Sequence, residues 1–243
     1  MPNNIKNLLI VKSGNKVVLN HFLNEIKGEC EVIDFNTIIP MPKEYEGIET
    51  STATDRAIKY FLYKNHRIDE ARAMFRPYEL DNDDFIRDYD NYDVSFQNEV
   101  LKLGEECVEL YHKYGAKDWY NWRLNNWETK WNAYRQSIEY LSNTKVEISF
   151  TTAWSGVPEL IEKLSSKYPS LAFIYKFADE DMGYNCGVGG TLDDGTWIFE
   201  YKGEQSDTAM DLYIECHKEN KDDFYKDELG RWNNRIWEEE DDE

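Results

Sequence analysis

The stretch Lys145–Phe177, KVEISFTTAWSGVPELIEKLSSKYPSLAFIYKF, decides the fold. Lys145 to Thr152 alternates in polarity and is β-branched, which predicts a half-buried strand. Pro158 suits the first position of a helix, where no N–H is needed, and Glu159 and Glu162 occupy the first turns, where the helix dipole favours negative charge. Leu160, Ile161, Leu164 and Tyr168 give this helix a buried stripe, and Pro169 stops it. Leu171–Phe177 reads as the next strand. Tyr184–Leu192 and Thr196–Tyr201 follow as two more, joined by Asp193-Asp194-Gly195, a hairpin signal because Asp and Gly tolerate the backbone of a tight turn. The order is β-α-β-β-β.

Working outward, Lys6–Val11 reads as a strand and residues 16–26 as a helix, with Val17, Val18, Phe22, Leu23 and Ile26 at helical spacing. Gly28 falls where a C-cap belongs, and Glu31–Phe35 reads as a second strand. This makes an N-terminal β-α-β unit. Its turn, Ser13-Gly14-Asn15-Lys16, lacks the G-x-G-x-x-G of a dinucleotide site. Pro40 and Pro42 force residues 38–42 out of regular structure. Helices are expected over Thr50–Asn65, with an N-cap at Thr50, Ser51 or Thr52, and over Ile68–Phe75, ended by Pro77. The longest helix carries Phe96, Val100, Leu103, Cys107, Leu110, Tyr111 and Tyr114 and stops at Gly115. Residues 205–217 are helical by pattern. Two strand-rich ends thus flank a helical middle, and the simplest assembly is an α+β sandwich. The expected divisions are 1–142, the N-terminal β-α-β with a helical insertion; 143–203, the sheet domain; and 204–243, an acidic helical tail.

Hydrophobic residues make up 41% of the 243, so a core is within reach, and the mean hydropathy of −0.76 comes from charge. No apolar run is long enough for a membrane span, and Met1–Lys6 lacks a secretory apolar region. Cys30, Cys107, Cys186 and Cys216 are too scattered for a zinc site or disulfide framework, so reduced thiols in a cytoplasm are expected. The net charge is −20. Residues 79–93 set seven acids against Arg87, and residues 203–243 set fifteen against five bases, for −6 and −10. A chain this acidic repels nucleic acid, whose binding needs Lys and Arg, and suits a basic partner instead.

Four of the eight tryptophans, Trp119, Trp122, Trp127 and Trp131, fall within thirteen residues. The apolar gain of burying them only matches the entropy of ordering their segment, so the segment must dock on other elements. Its structural reading is a clamp holding the helical insertion on the sheet. Its functional reading is an aromatic platform of Trp119, Trp122, Arg123, Trp127 and Lys130 that stacks a base or ligand.

Ile33-Asp34-Phe35-Asn36 with Ile38-Ile39-Pro40-Met41-Pro42, Asn121-Trp122 with Asn126-Trp127-Glu128-Thr129-Lys130-Trp131-Asn132-Ala133, and Phe150-Thr151-Thr152-Ala153-Trp154 with Leu164-Ser165 recur together in one family. On these pieces the chain resembles the YubB family of phage and conjugative-plasmid proteins over roughly residues 8–200. Arg123 stands where that family often has a small residue or cysteine, and Glu128 where it often has glycine. The resemblance implies a mobile-element origin and a ferredoxin-like C-terminal domain, in which "ferredoxin" describes topology and not iron. It implies no catalytic role. The fold class expected is therefore α+β, a ferredoxin-like β-α-β-β sheet with a helical insertion and an N-terminal β-α-β unit.

For the acidic segments, one reading is a solvated, solubilising face. The sharper reading is phosphate mimicry toward a host nucleic-acid-binding protein or complex with a basic surface. Its contact residues are Asp81, Asp83, Asp84, Asp88, Asp90, Asp222, Asp223, Asp227 and Glu228, and its action is anti-CRISPR-like inhibition in the host cytoplasm. Asp81-Asn82-Asp83-Asp84 resembles the start of a calcium loop, but Phe85 and Ile86 replace its glycine region. Asp179-Glu180-Asp181 is a turn of exposed acids, or a pair for metal-assisted hydrolysis. His21, His66, His112 and His217 are scattered. No P-loop, G-x-S-x-G or H-E-x-x-H is present, so no catalytic residue, metal site or cofactor is assigned. The alternatives are a nucleotide-binding or nucleotide-processing enzyme using the Trp119–Trp131 surface, and a structural or housekeeping phage protein.

Overall fold

A computed structural model describes residues 3–80 and 88–235. Its contacts divide the chain into a sheet unit, Met1–Pro40 with Asn126–Glu243, and a helical unit, Met41–Asn125. The fold is α+β, with an antiparallel sheet and helices.

The sheet unit opens with β1 (Asn4–Ser13) and α1 (Lys16–Lys27), capped by the Asn15 side chain, which accepts from the Val17 amide. Leu19, Phe22 and Ile26 form its buried stripe, while Val17 is 73% exposed and Val18 also faces out. Gly28 ends α1 at φ 52, where a Cβ would collide with Asp34. The expected strand Glu31–Phe35 does not form. The Val32 and Ile33 amides donate to the Gln136 side chain at 2.9 and 2.8 Å, which leaves them nothing for a ladder. Asp34 instead caps the short helix α2 (Phe35–Ile38), accepting from the Asn36 amide.

After the helical unit the chain returns as β2 (Tyr134–Ser142), β3 (Lys145–Ala153), a helix at Pro158–Lys167, β4 (Leu171–Asp179), β5 (Gly187–Thr191) and β6 (Trp197–Tyr201). The strand order is β2-β3-β1-β4-β5-β6, and every pair is antiparallel. β1 is thus central, with Asn4 opposite Ala153 on β3 and Ser13 opposite Leu171 on β4. Strands β4-β1-β3-β2, with helices following β1 and β3, make the split β-α-β arrangement of ferredoxin-like folds. The β5-β6 hairpin extends it. The sequence places β1 in the division 1–142 and is compatible with that β-α-β either joining the sheet of 143–203 or forming its own lobe. The pairing joins them: β1, α1 and β2 belong to the same sheet unit as residues 143–203.

One sheet face packs on α1, where Phe22 meets Phe173 edge-on at 5.7 Å. The opposite face is covered by the helix Asp207–His217, whose Met210 and Tyr213 cluster with Leu8 and Ala178. A small hairpin, β7 (Phe224–Lys226) and β8 (Trp232–Asn234), follows. A buried polar network joins Tyr175, Asn7 and Thr152 at the sheet's centre. Tyr175 Oη donates to Asn7 Oδ1 at 2.6 Å and accepts the Val157 amide at 2.7 Å, and Asn7 Nδ2 donates to Thr152 Oγ1 at 2.9 Å.

The helical unit contains α3 (Thr52–Lys64, capped by Ser51), α4 (Ile68–Met74), α5 (Pro77–Leu80) and α6 (Val94–Tyr114, capped by Asp93). Gly115 ends α6 in the left-handed region at φ 75, as its position suggests. Ile58, Phe61, Leu62, Phe75, Cys107 and Val108 form the core between these helices. Gly104 lets α6 approach the Ala57 carbonyl of α3. The helix α7 (Trp119–Trp127) follows; Pro158–Lys167 and Asp207–His217 are labelled α8 and α9.

Candidate functional site

A groove of about 410 Å³ lies in the helical unit. Its floor is Ile48, Leu103 and Leu110, and Glu44, Glu46, Glu106 and Glu109 stand around it with Lys113. The local causes are simple. Tyr45 is buried, and its hydroxyl donates to the Ala116 carbonyl at 2.8 Å, which pins a short 3₁₀ turn (Lys43–Tyr45) and leaves the flanking Glu44 and Glu46 in solvent. Along α6, Leu103 and Leu110 recur on one side after two turns, while Glu106 and Glu109 face water. Lys113 Nζ and Tyr114 Oη donate to Glu44 Oε1 at 2.8 and 2.7 Å and pull its carboxyl down to about 2. Lys102 reaches Glu106 at 3.7 Å, an exposed pair of small worth. Four carboxylates therefore face one lining cation over an apolar floor, an arrangement suited to a cationic, partly apolar segment.

The nine expected acidic contacts divide. Asp81, Asp83 and Asp84 lie outside the described residues. Asp88 is exposed. Asp90 is engaged internally, accepting from Tyr60 Oη and Lys64 Nζ, each at 2.7 Å. In the sheet unit Asp222 and Asp223 sit in a 3₁₀ turn, and Glu228 is exposed near the β7–β8 turn. Asp227 folds inward, accepting the amides of Leu229 and Arg231 at 2.9 and 2.8 Å and the Arg231 guanidinium at 2.9 Å. Asp90 and Asp227 thus hold the chain's own turns and ion pairs. The groove carboxylates were missed, because they come from segments far apart along the chain and carry no linear signal.

The expected platform also divides. Trp127 is fully buried in the sheet unit, its Nε1 donating to the Ile39 carbonyl at 2.9 Å and its ring meeting Phe35 edge-on. Trp122 is 5% exposed in the helical unit, against Tyr45. Both are core, which removes them from any stacking surface. Arg123 lies over Trp119 at 4.8 Å. Lys130 lies near two half-open indoles, Trp131 at 5.0 Å and Trp154 at 5.4 Å. Among the described residues no His, Cys, Asp and Glu side chains group in a way that holds a metal ion, and no helix is long and apolar enough to cross a membrane.

Residues 126–226 match the family model described as the ferredoxin-like domain in Api92-like protein. This match begins where the chain re-enters the sheet unit and runs through β7. The chain is also similar to a solved structure, the crystal structure of a protein api92 from Yersinia pseudotuberculosis, at 10% identity and a TM-score of 0.40, over 84% of this chain and 99% of that one. Comparison with curated proteins finds no match.

Proposed function

We propose that this protein acts by binding a protein partner with a basic surface, and that the groove between the 3₁₀ turn and α6 is the principal seat. The observation that carries this reading is the ring of Glu44, Glu46, Glu106 and Glu109 with a single lining cation. A chain of net charge −20 adds a field that speeds encounter with a cation-rich partner. The finer reading is inhibition: exposed carboxylates take the place of phosphates on a host nucleic-acid-binding defence complex. The resemblance to YubB-like mobile-element proteins supports it, as do the exposed Asp88, Asp222 and Glu228.

The test is capture of a basic nucleic-acid-binding protein from host lysate, followed by titration with salt. Binding should weaken steeply between about 0.05 and 0.5 M salt, as exposed charges are screened. A complex equally tight across that range, or one unaffected by reversing Glu106 and Glu109, sinks the proposal. A second reading, nucleotide binding, is favoured by Lys130 between Trp131 and Trp154. A mononucleotide that raises the melting temperature of the wild type but not of Trp154→Ala would select it.

A further inference from the structure

A separate pocket of about 230 Å³ lies on the sheet unit where α9 ends. In this acidic chain it is lined by three cations, Lys6 from β1, Arg135 from β2 and Lys218 from the end of α9, together with the hydroxyls of Ser137, Ser149 and Thr151. Thr151 is fully buried, and its Oγ1 makes no hydrogen bond among the described residues. A buried hydroxyl left unpaired is costly and uncommon, and here it borders the pocket. Arg135 occupies the left-handed region at φ 49, within the register shift between Tyr134 and Ser137 on β2. An L side chain is strained there, and a bulge of this kind re-aims the residue that it carries. Lys218 has the same unusual backbone, at φ 58.

We propose that this pocket binds a phosphoryl group. Among the described residues neither Lys6 nor Arg135 has a carboxylate within 4.0 Å, so both charges are open to a ligand. Lys218 is shared with Glu147 at 3.3 Å and Glu139 at 3.8 Å. His217 also lines the pocket, with Nε2 2.8 Å from the Asp179 carbonyl oxygen, and burial and Lys6 hold its pKa below the ordinary value. The negative end of the α9 dipole opposes an anion, but the Lys218 amide already occupies the carbonyls of Ile214 and Glu215. The donors come from three strands and a helix end. Such a spread suits four tetrahedral oxygens better than the two coplanar oxygens of a carboxylate, and the guanidinium fork adds bidentate reach. The volume is below the ~300 Å³ at which pockets for drug-sized ligands begin, which selects one phosphoryl group with little attached. This inference is independent of the acidic groove.

The test is titration of the full chain with inorganic phosphate, followed by calorimetry and phosphorus NMR, with chloride and acetate as controls. Saturable binding by phosphate alone is expected. Lys6→Gln and Arg135→Gly should each weaken it about tenfold or more, the range for a charge-assisted hydrogen bond. Thr151→Val should weaken it while leaving the ligand-free melting temperature unchanged or higher, a pair of effects that a purely structural threonine would not give. The absence of saturable phosphate binding by the wild type, or undiminished affinity in both cation variants, overturns the proposal. A mononucleotide and phosphoserine, tested the same way, identify the source of the group, and phosphate itself is the ligand if neither binds more tightly.

Discussion

Glu128 Oε2 accepts the backbone amide of Glu159 at 2.8 Å and that of Leu160 at 3.1 Å. Helix α8 has Val157 at its N-cap, which makes no side-chain cap, so a glutamate 31 residues earlier satisfies two of its open amides. Glu128 does this from φ 62, where glycine would rest without strain. Burial pushes its carboxyl up from 4.5 to about 7, against the pull of the two amides. A folded value above the unfolded one means that protonation favours the fold. The stability from this group is complete below about pH 4.5 and is lost as pH rises through about 7. The loss should be about 3 kcal/mol. Urea unfolding of the wild type and Glu128→Gln at pH 4.5, 6 and 8 checks this, and an identical pH dependence in the two would refute it.

Trp127→Ala should cost about 3–5 kcal/mol, because it empties a fully buried indole site and leaves the Ile39 carbonyl unpaired. Circular dichroism during urea unfolding gives the measurement. A variant that keeps the wild-type midpoint would return Trp127 to the list of ligand-facing residues.

Tyr175→Phe removes one hydroxyl and strands two partners, the Val157 amide and Asn7 Oδ1. Both are buried, so the expected loss is about 2–3 kcal/mol, beyond the worth of an average hydrogen bond. The double variant Tyr175→Phe/Asn7→Leu should recover part of that loss, since it removes the stranded acceptor. No coupling between the two positions in a double-mutant cycle would argue against this network.

Gly104→Ala tests the helical unit. The added methyl meets the Ala57 carbonyl and the Phe61 Cβ, so α3 and α6 must separate. About 1–3 kcal/mol should be lost despite alanine's better helix propensity. Hydrogen exchange should place the loss first in α3 and α6.

Reversing two groove charges, Glu106→Lys with Glu109→Lys, should slow association with the basic partner more than it speeds dissociation. Both side chains are exposed, so the melting temperature should change little. Stopped-flow rates at two salt concentrations separate these effects.

Much of the sheet was legible because its central strands follow simple rules. β3, α8 and β4 lie within a residue or two of their expected limits, since alternation, Pro158 and Pro169 each act locally. Val32-Ile33 looked like a strand because burial alone produces such a pair, and nothing nearby announces that Gln136 takes its amides. β2 was overlooked for the opposite reason: it is an edge strand whose outward residues are polar or exposed. The tryptophan segment announced burial, and Trp122 and Trp127 supply it. The groove and the phosphate pocket were invisible, because each gathers side chains from elements distant along the chain.

The central place of β1 also governs how the protein is made. Its neighbours begin at Lys145 and Leu171, so a nascent chain emerging at about 5–20 residues per second exposes the apolar β1 for on the order of 10–30 s before either arrives. Met41–Asn125 leaves the ribosome in that interval. β1 is therefore made well before the two strands that shield it, and it is a segment on which a chaperone would act.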